Sequence, residues 1–568
     1  AQDLPDQWRV SQIVLLPKSA LAERPIALTH ILYRLYCRIR WSTFSCWLDQ
    51  FLLSTPWDRA VPGGSPLDVA LARLIRLEAV QAKRQHGITL FLDLKSFYDG
   101  VDHARLIDQA LDRGCPPCIL GCVFQAYRGP RILYCDGAAA PAIIPERGIL
   151  AGCPYAPALS KVALFRPLCL LNQARVATHI DSWVDDVSTD FVGGRPSTVA
   201  ASAVRAFRSL KGSLEAEGLT VNVLKTVFVC SSGAAEKALK ALLGPNDPSI
   251  SKVARDLGVD SAGARRRRVT TSRARMAKAR GRSKRMADLR LPSRAARFRI
   301  CRGSVHPAAT WGHESQGISP KNVRWLRTVL ARQLGAVKLS EIDPVFDLSS
   351  IACTDPELSL FLQHFRALAG VARAWPQAER HLLVSAWDHA WGRGVLAPHP
   401  WRLARGPVSA MVAYLLQHGI EALSMTKWSL HGRVLELGTF QASQVHRASL
   451  ILRDHILAKR WSRMSLLPGG HGAASGLDWS IHRRILREAR AEKSKALPLM
   501  GVWTGAVLCA DKGGNSSCQL CGAPATYLHV LVECPSWALS PHGTPSRCRK
   551  GSCAIGPELG FRPSGRRC

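Results

Sequence analysis

A chain of 568 residues with 76 Lys+Arg against 42 Asp+Glu carries a formal net charge of +34. That balance favours a polyanionic partner, most simply nucleic acid, over an acidic small molecule. Hydrophobic residues make up 47%, which excludes a disordered polymer and provides for several cores, roughly three or four domains on the usual size prior. The 18 cysteines are scattered, and the opening AQDLPDQWRV is no secretory leader. Both features argue against a secreted disulfide scaffold, and without an apolar run of about 18 residues no membrane span is expected. Reduced thiols in an intracellular, nuclear protein fit better. The chain opens at Ala1 rather than Met, so a missing N-terminal domain is expected.

In chain order, IVLLPK (13–18) reads as a strand ended by Pro17, and residues 26–51, apolar at mixed spacing, as a buried helix. The turn cluster VPGGSP (61–66) precedes an amphipathic helix near 67–83. GITLFLDL (87–94), apolar on both faces, predicts a central strand with Asp93 at its end. VATHIDSWV (176–184) and VSTDFV (187–192) predict a β-hairpin with Asp185-Asp186 in the turn, where Asp tolerates positive φ. Residues 198–217 read as helix and GLTVNVLKTVFVC (218–230) as strand, an α+β order with a central sheet. Residues 265–302 hold sixteen Lys or Arg and one acid, Asp288. Beyond them the chain reads as mainly helical. In TDPELSLFLQHFRALAGVA (354–372), Asp355 caps, Pro356 takes the first position, and Leu358, Phe361, Leu362, Phe365 and Leu368 keep helical spacing. Nine of the sixteen Trp lie between 311 and 479 and are expected to pack helices.

Nucleotidyl transfer needs two divalent ions about 4 Å apart, held by few carboxylates on rigid neighbouring strands. Asp93 at a strand end and Asp185-Asp186 in a hairpin supply that set if the two strands pair. The alternative is a turn-capping Asp93 and an ordinary hairpin tip.

The order of motifs resembles the polymerase of LINE-type, non-LTR retrotransposons. FLDLKSFYDGVDH (91–103) resembles the first catalytic motif of a reverse transcriptase palm, and RGILAGCPYAPAL (147–159) its template loop and helix. SWVDD (182–186) resembles the Tyr-x-Asp-Asp motif, and GLTVNVLKT (218–226) the Gly-Leu…Asn-x-x-Lys-Thr motif. LLPK (15–18) and RPI (24–26) resemble fingers motifs, and WGHESQGISPKNVRWLR (311–327) the segment after the thumb. The likeness covers roughly residues 8–330. It departs at Ala151, where Gln is common, at Trp183, where Tyr is usual, and at Val184.

The resemblance implies a right-hand polymerase. Its fingers and N-terminal part would be 1–86, its palm 87–235 and a basic thumb-like region 236–335. A helical connection (336–505), a small zinc knuckle (506–540) and a disordered tail (541–568) would follow. It implies Mg²⁺ or Mn²⁺, two per site, on Asp93, Asp185 and Asp186, with Lys225 as proton donor to pyrophosphate. Arg24 and Lys18 would hold the triphosphate, Tyr98 would exclude a 2′-hydroxyl, and Gly148 and Gly152 would let backbone approach the substrate. Asp99 and His103 match the pattern but read equally as capping and packing residues. Arg265, Arg266, Arg267, Arg268, Arg273, Arg275 and Lys278 would track phosphates. Expected partners are an RNA template, a DNA primer or target, and dNTPs, with a separate endonuclease or N-terminal domain supplying the nick. An RNA-dependent RNA polymerase or intron-maturase type, and a decayed nucleic-acid-binding relic, are the rivals.

Near the C-terminus, Cys518-x2-Cys521-x7-His529-x4-Cys534 offers four ligands for a structural tetrahedral Zn²⁺. Gly522 suits the turn beside a bound thiolate. The second Cys-x2-Cys, in GCPPCILGC (114–122), lacks a suitably spaced His and reads as buried thiol.

Overall fold

The computed structural model describes residues 3–19, 22–135, 137–263, 267–289, 294–334, 342–348, 355–430 and 432–466, with 474, 517 and 521–524. The chain divides into two compact units. One comprises Ala1–Arg268 with Ala378–Ala390, the other Val269–Gln377 with Trp391–Cys568.

The first unit is α+β. Its strands are β1 (Ser11–Ser19), β2 (Ala22–Thr29), β3 (His86–Leu92), β4 (Arg131–Cys135), β5 (Ala138–Ala139), β6 (His179–Trp183), β7 (Asp186–Gly193), β8 (Val227–Cys230) and β9 (Ser249–Ser251), followed by the hairpin β10 (Ala254–Asp256) and β11 (Val259–Ser261). The central sheet runs β6-β7-β3-β8-β9, and a smaller one β2-β1-β4-β5. As its two apolar faces require, β3 lies in the middle, and Ile88, Leu90 and Leu92 enter the main core with Phe207 and Phe228. Pro17 does not end β1. The strand continues to Ser19 with a register shift between Pro17 and Ser19. β4 pairs only with residues 11–14 of β1, so at Pro17 that side of the ladder is open and the missing N–H breaks no bond to β4. Residues 26–51 form not one helix but the end of β2 and the helices Ile31–Ile39 and Trp41–Leu53. The hairpin with β1 captures residues 26–29, overriding their apolar pattern.

The β6–β7 hairpin forms as expected, shifted by one residue. Trp183 pairs with Asp186, so the two turn residues are Val184 and Asp185. The positive φ falls on Val184, at 57°, which is unfavourable for a β-branched side chain. Val184→Gly is therefore expected to stabilise the fold by about 1 kcal/mol, the left-handed penalty of an L-residue, measured as a higher urea midpoint with an unchanged slope. Only 227–230 of the expected 218–230 strand is strand. The preceding residues wrap the end of β3.

The second unit is mainly helical. The helix Pro356–Ala374 begins as its sequence dictates, Asp355 accepting from the Glu357 N–H at 3.0 Å. Trp375 and Trp428 are buried, whereas Trp311 is exposed. Thr270–Asp288 is a basic helix whose Met276, Ala279 and Met286 face the core. No helix among the described residues is long and apolar enough to cross a membrane.

Candidate functional site

Leu92 pairs with Val187 in the β3–β7 ladder. The ladder ends there, so Asp93, the residue after β3, and Asp186, the first of β7, lie at the same end of the sheet. Asp185 is next to Asp186 in the turn. The loop before β8 fixes Asp93 from the other side. The Asp93 N–H donates to the Thr226 hydroxyl at 3.1 Å, and the Asn222 N–H donates to the Asp93 carbonyl at 2.8 Å. Lys225 Nζ stands 4.0 Å from Asp93 Oδ2, both groups partly in solvent. The sequence GLTVNVLKT thus serves Asp93 as a wrapping loop rather than as a strand.

Asp93, Asp186, Lys225 and Trp183 line one cavity of about 280 Å³, closed on another side by residues 253–257. Of the acids that line it, Asp186 is poorly neutralised. Asp186 has a carboxyl pushed up to about 6, first by desolvation and then by the charges of Asp185, Asp256 and Asp93, with Arg73 opposing. Excess carboxylate facing a cleft is the chemistry of a hard divalent cation site. Among the described residues no three such side chains form a group that could hold a metal ion. Proton and cation must compete for Asp186. Mg²⁺ is expected to raise the melting temperature at pH 7.5 and to lose that effect near pH 5. Without metal, stability should fall as pH rises from about 4 to 6, because folded Asp186 still holds the proton that the unfolded chain has released.

Behind the hairpin lies an ionic cluster that sequence reading missed. Asp181 on β6 accepts from Arg59 Nε at 2.8 Å, from Arg73 Nη2 at 3.2 Å and from Arg76. Arg73 also pairs with Asp256 on β10, and Arg76 Nε with Asp190 on β7 at 3.1 Å. The Thr89 hydroxyl of β3 donates to Asp190 at 2.8 Å. Arg73, Arg76, Asp181, Asp190 and Asp256 are all buried. Burial alone would raise Asp181, but Arg76, Arg73 and Arg59 outweigh it and hold its carboxyl well below the usual range. Arg73 therefore ties the acid-bearing hairpin to the β10–β11 wall of the cavity. The signal available in the sequence was Arg73 and Arg76 three apart on one helix, with acids at 181 and 190 in adjoining strands.

The loop 147–153 packs beside Tyr98. Ile149 N–H donates to the Tyr98 carbonyl and Gly148 N–H to that of Val101, both at 2.8 Å. Buried His103 Nε2 lies 2.9 Å from the Gly148 carbonyl, a packing role, while Asp99 is exposed. Gly152 has φ 135°, and a Cβ there would collide with the Ala27 carbonyl. The glycine makes room for the chain's own β2. The half-buried Tyr98 phenol is raised by desolvation, with Asp185 adding to the rise. Arg24 sits exposed on β2 opposite Leu16. The Lys18 side chain, like Arg265 and Arg266, lies outside the described residues.

In the second unit, Arg273 and Lys278 are exposed, but Arg275 is engaged at home. It lies 4.5 Å from the Trp311 ring centroid and donates to the Trp311 carbonyl at 3.0 Å. Of the C-terminal ligand set, Cys518, His529 and Cys534 lie outside the described residues. Cys521 precedes Gly522, at φ 75°, in a turn closed by a Ser517–Pro524 bridge. Cys115 and Cys122 are buried thiols, Cys118 is exposed.

Residues 16–269 match the family described as reverse transcriptase (RNA-dependent DNA polymerase). That segment, less than half of the chain, is therefore of the reverse transcriptase, nucleotidyl-transferring type. Among solved structures, apo telomerase from Candida tropicalis truncated from its C-terminal domain is 12% identical, with 46% of this chain and 55% of that one covered and a TM-score of 0.32. Telomerase from Candida tropicalis with a TWJ fragment of telomeric RNA is 11% identical, with 68% and 65% covered and a TM-score of 0.34. The corresponding Candida albicans complex is 12% identical, with 73% and 67% covered and a TM-score of 0.37. The first two matches span less than two thirds of those chains. No curated protein matches.

Proposed function

We propose that the chain is the RNA-directed DNA polymerase of a LINE-type, non-LTR retroelement, adding dNTPs to a primer 3′-hydroxyl on an RNA template. The observation that carries this is the pairing of β3 with β7, which brings Asp93, Asp185 and Asp186 to one end of the central sheet inside the matched segment, Asp93 and Asp186 lining one cavity. Two Mg²⁺ or Mn²⁺ ions held by these carboxylates would activate the 3′-hydroxyl and offset charge on the transferring phosphate. Lys225, within reach of Asp93, would protonate pyrophosphate. Arg24, exposed and planar, would grip the triphosphate with Lys18, and Gly152 would hold the template loop against β2. Tyr98 would close the space a 2′-hydroxyl needs. Fingers, palm and thumb would divide the chain near the sequence boundaries given above. Arg265–Arg268, Arg273 and Lys278 would track template–primer phosphates. Zn²⁺ on Cys518, Cys521, His529 and Cys534 would order a C-terminal knuckle. The setting would be nuclear, with nicking supplied by a further domain or protein.

Primer extension by the purified chain tests the reading. Activity with dNTPs on RNA, absent in Asp185→Ala, is the expected result. Preference for rNTPs would favour an RNA polymerase instead. Nucleic-acid binding without extension would favour a relic, the reading to which Ala151 and the strained Val184 turn point. Tyr98→Ala is expected to raise rNTP incorporation relative to dNTP at least tenfold, read from single-turnover kcat/KM ratios.

A further inference from the structure

The helical unit contains a second charged cavity, of about 400 Å³, outside the segment that carries the carboxylates. Arg324 and Arg327 reach it from the helix Pro320–Leu334, and Lys459 and Arg463 from the helix Ala442–Ser465. Asp343, Glu357 and His418 line it as well.

The charges do not balance. Asp343 is paired with Arg327 and Arg463, Glu357 with the same two, and buried Asp355 beneath them with Arg327 and Arg460. Three acids are thus matched by three arginines. Arg324 and Lys459 remain at the exposed rim, in no ion pair among the described residues. At the floor, His418 is 4% exposed, and its Nε2 finds no hydrogen-bond partner among the described residues. Its ring is kept neutral, first by burial and then by the charges of Lys459, His455, Arg463 and Arg460. A cluster built only to hold helices together would need neither the surplus cations nor an unpartnered buried imidazole.

We infer that this cavity binds a phosphate group, taken either from a nucleic-acid backbone or from a free phosphate. Arg324 and Lys459 would supply the two unmatched positive charges, and the imidazole nitrogen a hydrogen bond from below. Free phosphate as a dianion, or two neighbouring backbone phosphates of one charge each, match the surplus; a single carboxylate would leave one cation unanswered. The site does not depend on the polymerase reading, because it neither uses Asp93, Asp185 or Asp186 nor needs a divalent ion.

The test uses the full chain in EDTA, so that the carboxylate site takes no part. Thermal denaturation is followed with inorganic phosphate, and with acetate at equal ionic strength. Binding to a fluorescein-labelled RNA duplex is followed against salt. Arg324→Gln/Lys459→Gln is compared with Lys427→Gln/Arg453→Gln, which removes the same charge elsewhere in the unit. Phosphate, but not acetate, should raise the melting temperature of the wild type and of the second pair, and not of the first. If the first pair also lowers the salt slope of RNA binding by about 1.5, the source is two backbone phosphates. An unchanged slope with lost phosphate stabilisation assigns the site to free phosphate. Equal responses of wild type and both pairs, or equal stabilisation by acetate, overturn the inference.

Discussion

Asp186→Asn is expected to lose template-directed extension by at least about 1000-fold while making the metal-free protein more stable above pH 6. The first effect follows from removing one carboxylate of a two-ion site. Several kcal/mol of transition-state stabilisation reside there, and each 1.36 kcal/mol is a factor of ten. The second follows from the carboxyl's own condition. Desolvation and the neighbouring charges of Asp185, Asp256 and Asp93 push it up to about 6, so its ionisation at neutral pH works against the fold. Asparagine keeps the shape and removes the repulsion. A residue that supports packing would lose both properties together; one kept for chemistry trades them. The readouts are primer extension and a melting curve in EDTA, at pH 7.5 and pH 5. Stability should rise in the variant most at pH 7.5 and less at pH 5, and differ little only below about pH 4, where the folded and unfolded wild type both hold the proton.

The opposite sign is expected at Asp181. Asp181→Asn removes the carboxylate that buried Arg73 and Arg76 share and leaves each with one acid, Asp256 and Asp190; with that partial compensation the loss should be about 3 kcal/mol, at the low end for a broken buried pair. Urea denaturation should show that loss with or without Mg²⁺. Arg59 is the internal control. It contacts the same carboxylate at 2.8 Å but is largely in solvent, so Arg59→Met should cost about 1 kcal/mol or less. Because Arg73 also grips Asp256, Arg73→Met should loosen the β10–β11 wall. It should raise the KM for dNTP more than it lowers kcat.

These two aspartates show what was legible in the sequence. Asp93 at the end of a doubly apolar strand, and the hairpin that carries Asp181 and Asp186, could be read because each is a local pattern of period two with a turn signal. Asp355 before Pro356 was legible for the same reason: a cap acts within one turn. The Asp181 network was not, because its partners lie 105 to 122 residues away in sequence and no local pattern encodes a pairing at that range. Residues 218–226 misled for a different reason. Val221, Val223 and Thr226 have strand chemistry, but the backbone N–H of Asn222 and the hydroxyl of Thr226 are spent on Asp93. The one-residue shift of the Asp-Asp turn came from register, which β3 sets across the sheet. Asp186 pairs with Trp183 as part of β7, and the positive φ falls on Val184.

The central claim is that three carboxylates from β3 and the β6–β7 hairpin grip a pair of ions. A structure of the chain with template–primer, dNTP and Mn²⁺, with anomalous scattering collected at the manganese edge, tests it directly. Two peaks about 4 Å apart, bounded by Asp93, Asp185 and Asp186, are the predicted result. Manganese elsewhere, or none between Asp93 and Asp186 with substrate bound, would contradict it.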